Sequence, residues 1–188
     1  MVMKEKELPI KCAEGDAGAQ KILYERYSGH LYGVCLRYAS GRDEAMDLLH
    51  DTFIKIYSNI GKFSYRGEGS LKGWLTRLAI NMALERIRAN SKVQTTPLQM
   101  EIAQEEPSET VMERIPPKVL IRFIEELPPG YRAVFNLYVF ENLPHKEIAR
   151  MLGINEKSSS SQFLRAKTAI IKKINNYLKE TENGKQYK

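Results

Sequence analysis

Apolar residues recur at three- and four-residue intervals along most of this chain, and that spacing predicts helices. After Gly15-Asp16, where the aspartate can cap a helix, Ala19, Ile22 and Leu23 form an inner face. Leu31, Val34, Cys35 and Tyr38 make a further stripe that stops at Gly41. Ala45, Leu48, Leu49, Thr52, Phe53 and Ile56 give the next, and Ser70 is placed to cap a helix with Leu71, Trp74, Leu75, Leu78 and Met82 inside. Leu120, Ile121, Ile124 and Leu127 predict a helix that ends at Pro128-Pro129-Gly130, and Tyr131, Val134, Phe135 and Tyr138 predict another. No apolar run alternates and no hairpin dipeptide joins two such runs, so strands are not expected. The fold class expected is all-α, with two small helical domains at residues 11–92 and 118–178. Residues 93–117, polar and holding Pro97, Pro107, Pro116 and Pro117, read as a flexible linker, and the tail after Tyr177 as frayed.

The sharpest local pattern lies between Leu143 and Lys173. A short helix should begin at Pro144, whose missing N–H costs nothing in a first turn. Ile148, Ala149 and Leu152 form its apolar face, and Gly153 offers a left-handed stop. Asn155 is a good cap for a second helix, whose stripe Ser159, Phe163, Ala166, Ile170, Ile174 and Tyr177 is the buried side. Lys157, Ser161, Arg165, Thr168 and Lys172 occupy the other face. Two helices, a glycine turn and a basic second helix predict a helix-turn-helix that reads duplex DNA through the major groove. An ordinary helical hairpin with a solvated face is the plainer alternative.

Charge strengthens the nucleic-acid reading. The chain of 188 residues carries a net +6, which favours a polyanionic partner. It is unevenly placed: Ser58–Ser91 holds six basic residues against two glutamates, and Glu156–Lys188 holds eight against three. Between and before them lie acidic blocks, Asp43–Tyr57 at −3 and Val93–Pro117 at −4. Cys12 and Cys35 show no metal-ligand spacing, and Cys35 falls in an apolar stripe, so a reduced cytoplasmic setting is expected. No signal peptide and no membrane span are expected, since no apolar run is long enough. His30, His50 and His145 are scattered, with no carboxylate pair, metal cluster or nucleophile–base set, so neither an enzyme nor a cofactor is expected.

Two stretches of the amino-terminal half carry candidate chemistry. Asp47, His50, Asp51 and Ile54 form a second stripe on the acidic helix, mixing carboxylates with an exposed apolar group. It reads as a solvated acidic face or as a docking surface for a partner helix. The stretch Gly61-Lys-Phe-Ser-Tyr-Arg-Gly-Glu-Gly-Ser70 reads as a mobile loop whose Phe63, Tyr65 and Arg66 are equipped to stack on unpaired bases. Asn81, in the interior of the helix that follows, gains nothing in propensity there and hints at a specific hydrogen bond.

At this point the residues resemble a known family. Leu127-Pro-Pro-Gly-Tyr-Arg-Ala-Val-Phe-Asn-Leu, then His145-Lys-Glu-Ile-Ala and Arg165-Ala-Lys, resemble the carboxy-terminal domain of bacterial extracytoplasmic-function sigma factors. Asp47-Leu-Leu-His-Asp-Thr-Phe and Gly73-Trp-Leu-Thr-Arg-Leu-Ala-Ile-Asn resemble their amino-terminal domain. The likeness runs in order from about Asp16 to Lys173.

The resemblance implies a protein that binds core RNA polymerase and directs it to promoters. It assigns Asp47, Leu48, His50, Asp51 and Ile54 to the clamp helices of the large polymerase subunit, with the polymerase flap as a further contact. It assigns Phe63, Tyr65, Arg66, Lys72, Trp74, Arg77, Asn81 and Arg88 to the minus-ten element and its melting. Lys157, Ser160, Ser161, Gln162, Arg165 and Lys167 fall to the minus-thirty-five element. The linker matches a segment threaded into the RNA exit path, and an anti-sigma factor is an expected partner. Two residues depart from the pattern: Ser160, where many relatives carry a basic side chain, and His50, where glutamine is usual. A helix-turn-helix regulator acting without polymerase is the competing function; it leaves the loop, Asn81 and the acidic helix without a task.

Overall fold

In the computed structural model, residues 3–91 and 115–185 are described, and every regular element among them is helical. The expected linker thus lies outside the described residues except for its last three positions. The chain divides into two compact units, Met1–Arg86 and Ile87–Lys188.

The first unit begins with α1 (Leu8–Ala13), followed by α2 (Ala17–Tyr38) and α3 (Arg42–Asn59). A short 3-10 turn (Ile60–Lys62) then leads through the loop into α4 (Ser70–Ser91), whose residues up to Arg86 belong to this unit. α1 was not anticipated. At six residues it is too short to show a period, yet Leu8 and Cys12 are buried and Pro9 sits in its first turn. Asp16 caps α2 as expected, its carboxylate accepting the Ala19 N–H at 2.8 Å. The two stripes of the first forty residues belong to one helix: Ala19, Leu23, Tyr27, Leu31, Val34, Cys35 and Tyr38 are all buried along α2. Gly29 and Gly33 fall on its exposed side, where they weaken the helix without opening the core.

In α3 the inner stripe Ala45, Leu48, Leu49, Thr52, Phe53 and Ile56 is buried throughout. Thr52 satisfies its hydroxyl by donating to the Leu48 carbonyl at 2.6 Å, and Phe53 packs against Tyr24 and Tyr57. α4 is turned from its expected setting. Leu71, Leu75, Ala79 and Ala83 are buried, whereas Trp74, Leu78 and Met82 are only half-buried. Two of the buried positions are small alanines, which a count of large apolar residues alone misses. His30 Nε2 and Thr76 Oγ1, 2.8 Å apart, tie α2 to α4. Burial pushes the thiols of Cys12 and Cys35 up to about 11, so both act as packing groups rather than nucleophiles.

The second unit contains α5 (Pro117–Glu125), α6 (Pro129–Val139), α7 (His145–Leu152) and α8 (Glu156–Lys185). Its core joins Ile115, Ile124, Leu127, Tyr131, Ala166, Ile170 and Ile174. Ile115 is buried, so packing starts inside the stretch read as linker. Pro117 and Pro129 open their helices from the first turn. α7 and α8 follow the sequence closely: Pro144 stands at the N-cap in extended backbone, one residue ahead of the helix it is expected to open, and Gly153 takes the left-handed conformation at φ 69°. The Asn155 side chain accepts the Ser158 N–H at 2.7 Å. The expected fraying after Tyr177 is corrected, because α8 continues to Lys185. Tyr177 makes an edge contact with Phe123, and Leu178 packs against the same core, which extends the helix's buried face.

Candidate nucleic-acid interface

Three surfaces carry the candidate residues, and each is built by its own elements. On α3, Asp47 and His50 are exposed and Ile54 is 66% exposed. Met46, which the sequence reading passed over, is exposed as well. Asp51 is exposed but engaged: its carboxylate accepts from the Arg86 guanidinium of α4. Leu48 departs from expectation. It belongs to the inner stripe and is 2% exposed, so it supports the helix from beneath and offers nothing to a partner in this conformation.

The loop between the 3-10 turn and α4 is closed by specific bonds. Ser70 Oγ donates to the Gly67 carbonyl at 2.6 Å and accepts the Arg66 N–H at 3.2 Å. Ser70 therefore closes the loop instead of capping the helix. Gly67 and Gly69 have φ of 118° and 83°, conformations that favour glycine because a Cβ would be strained there. Phe63 packs on Trp74 with ring centroids 5.6 Å apart. Both are half-buried, while Tyr65 and Arg66 are exposed. The loop thus carries one packed aromatic pair and two open groups.

Beyond the loop, Trp74, Arg77, Asn81 and Arg88 follow at spacings of three, four and seven, one stripe along α4. Arg77, Asn81 and Arg88 are exposed. Lys72 does not join them: two residues before Trp74, it lies about 200° around the helix axis. Its charge is felt by His30 of α2, whose imidazole is held below its ordinary value by burial first, then by Lys72 and Arg37.

The third surface is the start of α8. Lys157, Ser160 and Ser161 are exposed, and so is Leu164 at 59%. Gln162 is half-buried toward Gly130, and Lys167 is half-buried on the flank. Arg165 Nη1 donates to the Tyr131 hydroxyl at 3.4 Å, a long contact that keeps the guanidinium at the edge of the open face. The six expected residues therefore do not share one exposure: three are open, one borders them and two flank. Leu164 belongs to neither stripe that the sequence predicts for this helix; an apolar group on this face suits a thymine methyl. An aromatic clamp fixes the helix. Phe163 lies 4.3 Å from Tyr138 and 6.0 Å from Phe135 by ring centroids, and His145 stacks on Tyr138 at 4.7 Å. His145 Nδ1 also meets the fully buried Ser159 hydroxyl at 3.0 Å.

Among the described residues, no three His, Cys, Asp or Glu side chains gather to hold a metal ion. No described helix is long and apolar enough to cross a membrane.

A small helical unit with a basic stripe, followed by a helix-turn-helix unit, has the make-up of a two-part DNA-binding protein. Comparison with known families agrees: residues 23–93 match sigma-70 region 2 and residues 118–170 match sigma-70, region 4. The RNA polymerase sigma-H factor of Pseudomonas aeruginosa is 26% identical over 192 residues, covering 94% of this chain and 97% of that protein. The ECF RNA polymerase sigma factor SigM of Bacillus subtilis is 27% identical over 150 residues, covering 77% and 88%. The chain belongs to the extracytoplasmic-function (ECF) type of sigma factors, which serve RNA polymerase in transcription initiation. The fold is also similar to the sigma factor RpoE of Bartonella quintana, solved in complex with the anti-sigma factor NepR. That match has a TM-score of 0.51 and 17% identity, and covers 82% of this chain and 96% of that one.

Proposed function

We propose that this protein docks on core RNA polymerase through α3, opens the minus-ten element with the Gly61–Ser70 loop and α4, and reads the minus-thirty-five element with α8. The observation that carries this reading is the stripe Trp74, Arg77, Asn81 and Arg88 running on from a loop that exposes Tyr65 and Arg66 and packs Phe63 on Trp74. A duplex-only regulator leaves that equipment unused. Taking a base out of the stack costs a few kcal/mol, and each aromatic stacking contact returns about 1–3 kcal/mol. In this reading Asn81 hydrogen-bonds the extracted base, while Arg77 and Arg88 meet phosphate.

Docking rests on Asp47, His50 and the exposed Ile54, with a basic, partly apolar helix pair on the polymerase as the complementary surface. Asp51 contributes by holding Arg86, which keeps that cation from facing the same basic partner. At the other end, Lys157, Ser160, Ser161 and Arg165 meet duplex DNA. Serines in the first turn neutralise little phosphate charge, so α8 binds its element weakly without polymerase. The segment 93–114 links the two activities, and its glutamates stand in for nucleic-acid charge in the RNA exit path. The protein acts in the cytoplasm, held in check by an anti-sigma factor of the kind seen with the Bartonella relative.

Reconstitution with core polymerase on genomic fragments tests the whole reading. Discrete start sites are expected with the wild-type chain. Ile54→Asp should abolish them, because it places a desolvated carboxylate where an apolar contact forms. Equal transcription with and without the protein on every template would overturn the proposal.

A further inference from the structure

The segment ahead of α2 touches the glycine loop at both of its ends. At the near end, α1 packs against the 3-10 turn, and a Cβ on Gly61 would lie 3.7 Å from the Ala13 Cβ. At the far end the Glu5 carboxylate accepts two backbone N–H groups, Gly69 through Oε2 at 3.0 Å and Leu71 through Oε1 at 2.9 Å. Residues 61 and 69 bracket the loop, so one short segment fixes both of its hinges. That segment is itself anchored. Leu8 is fully buried, and Arg26 of α2 donates to the Met3 carbonyl at 2.9 Å.

The chemistry of the far contact is specific. The first N–H groups of a helix have no partner within it, and the helix dipole places partial positive charge there. A carboxylate accepting two of these N–H groups makes charge-assisted bonds, about twice as strong as neutral ones. Gly69 is also one of the two positive-φ positions of the loop, so the bond to its N–H holds the backbone where its conformation is least determined locally. Ser70, whose hydroxyl would otherwise serve as a cap, is occupied with Gly67 and Arg66.

We propose that Glu5 is the positioning residue of the base-capturing loop: it acts through Gly69 and Leu71 to hold Tyr65 and Arg66 in the arrangement that receives an unstacked base. The second half of this statement rests on the function proposed above; the first half stands on the free protein alone. Glu5 touches no DNA in this account. Its removal changes how often the loop is correctly shaped, and the affinity for a single strand falls in proportion.

The experiment uses the full chain and its complex with core polymerase, with Glu5→Ala, Glu5→Gln and, as a control, Glu7→Ala on the exposed neighbouring glutamate. Amide hydrogen exchange in the free protein reads the contact directly. Exchange at Gly69 and Leu71 should rise about ten- to hundredfold in E5A, rise less in E5Q, which keeps an acceptor but loses the charge, and stay unchanged in E7A. Binding of the polymerase complex to a single-stranded minus-ten oligonucleotide should weaken in the same order, with core-polymerase binding and the melting temperature of the Trp74 fluorescence signal retained. Unchanged exchange in both Glu5 variants overturns the contact. Raised exchange with undiminished oligonucleotide binding overturns the positioning role. A wild-type complex that shows no preference for the single strand contradicts the proposed function instead, and leaves the exchange result to decide on the contact. If E5A fails to fold, E5Q carries the same two readouts.

Discussion

The two units present their proposed nucleic-acid-binding groups in opposite ways. In the second unit, the side chains proposed to read duplex DNA stand on a long helix whose orientation is set by neighbours close in sequence. Phe163, Tyr138 and His145 lock α6, α7 and α8 together, and Gly153 and Asn155 set the turn. In the first unit, the comparable groups sit on a loop and on one stripe of α4. Their setting depends on remote contacts: Glu5 to Gly69 and Leu71, Asp51 to Arg86, His30 to Thr76. A rigid helix suits a groove of fixed shape, as in duplex DNA. A loop with stacking groups and a small number of hydrogen-bonding side chains suits a strand that has lost its partner. Under the proposed function, the difference between the units is a difference in the state of the DNA each would hold.

The largest effect expected from breaking this contrast is at Phe163. Phe163→Ala removes the centre of the clamp and should cost up to about 3 kcal/mol of the second unit's stability, the low end for a core phenylalanine because the ring is only half-buried. Trp74, the single tryptophan, lies in the first unit, so its fluorescence transition should be unaltered while part of the helical signal melts earlier. A matching shift of the tryptophan transition would show that the units do not unfold separately.

Next is Arg165→Ala, which should weaken binding of the polymerase complex to the upstream duplex by about 1–3 kcal/mol if the guanidinium reaches a base edge. If it meets phosphate instead, the variant lowers the salt slope by about 1. Asn81→Ala is expected to reduce open-complex yield about tenfold, the loss of one hydrogen bond to an extracted base, with core-polymerase binding preserved. Equal yields of open complex from the variant and the wild type would remove Asn81 from the capture step.

The smallest effect concerns Glu126, at the end of α5. A hydrogen bond from Lys173 foremost, and one from Arg122, holds its carboxyl below the usual carboxylate value. A carboxyl whose folded value is depressed contributes stability above its unfolded value and loses it as pH falls through the folded one. The second unit should therefore lose this contribution below about pH 4.5, and Glu126→Gln should abolish that part of the pH dependence. Because the pair is well exposed, the change should stay under about 1 kcal/mol. Urea midpoints at pH 7 and pH 3 measure it.

What the sequence conveys follows the same division. The helix-turn-helix is legible because its signals are local: Gly153, Asn155 and the stripe from Ser159 to Tyr177 lie a few residues apart and act on each other. The inner and outer stripes of α3 are legible for the same reason. α1 is too short to announce itself, and the Glu5 contact joins residues separated by more than sixty positions, which no period can reveal. The face of α4 is misplaced when judged by its large apolar residues, because the small Ala79 and Ala83 lie on the buried side. Leu48 shows the limit of transferring a role by likeness alone: its position matches a docking stretch, yet helical geometry turns it inward. Arg165 and Lys167 fall on the expected helix, but the degree to which each is open depends on Tyr131 and on the flank of α8.

The division of labour between the units is tested most directly by a crossed binding measurement. The polymerase complexes of wild type, Asn81→Ala and Arg165→Ala are titrated against two probes from one mapped promoter. One probe is the single-stranded minus-ten non-template strand, the other the minus-thirty-five duplex. The account predicts that Asn81→Ala weakens only the single-stranded probe and Arg165→Ala only the duplex. Equal weakening of both probes by either variant would contradict it.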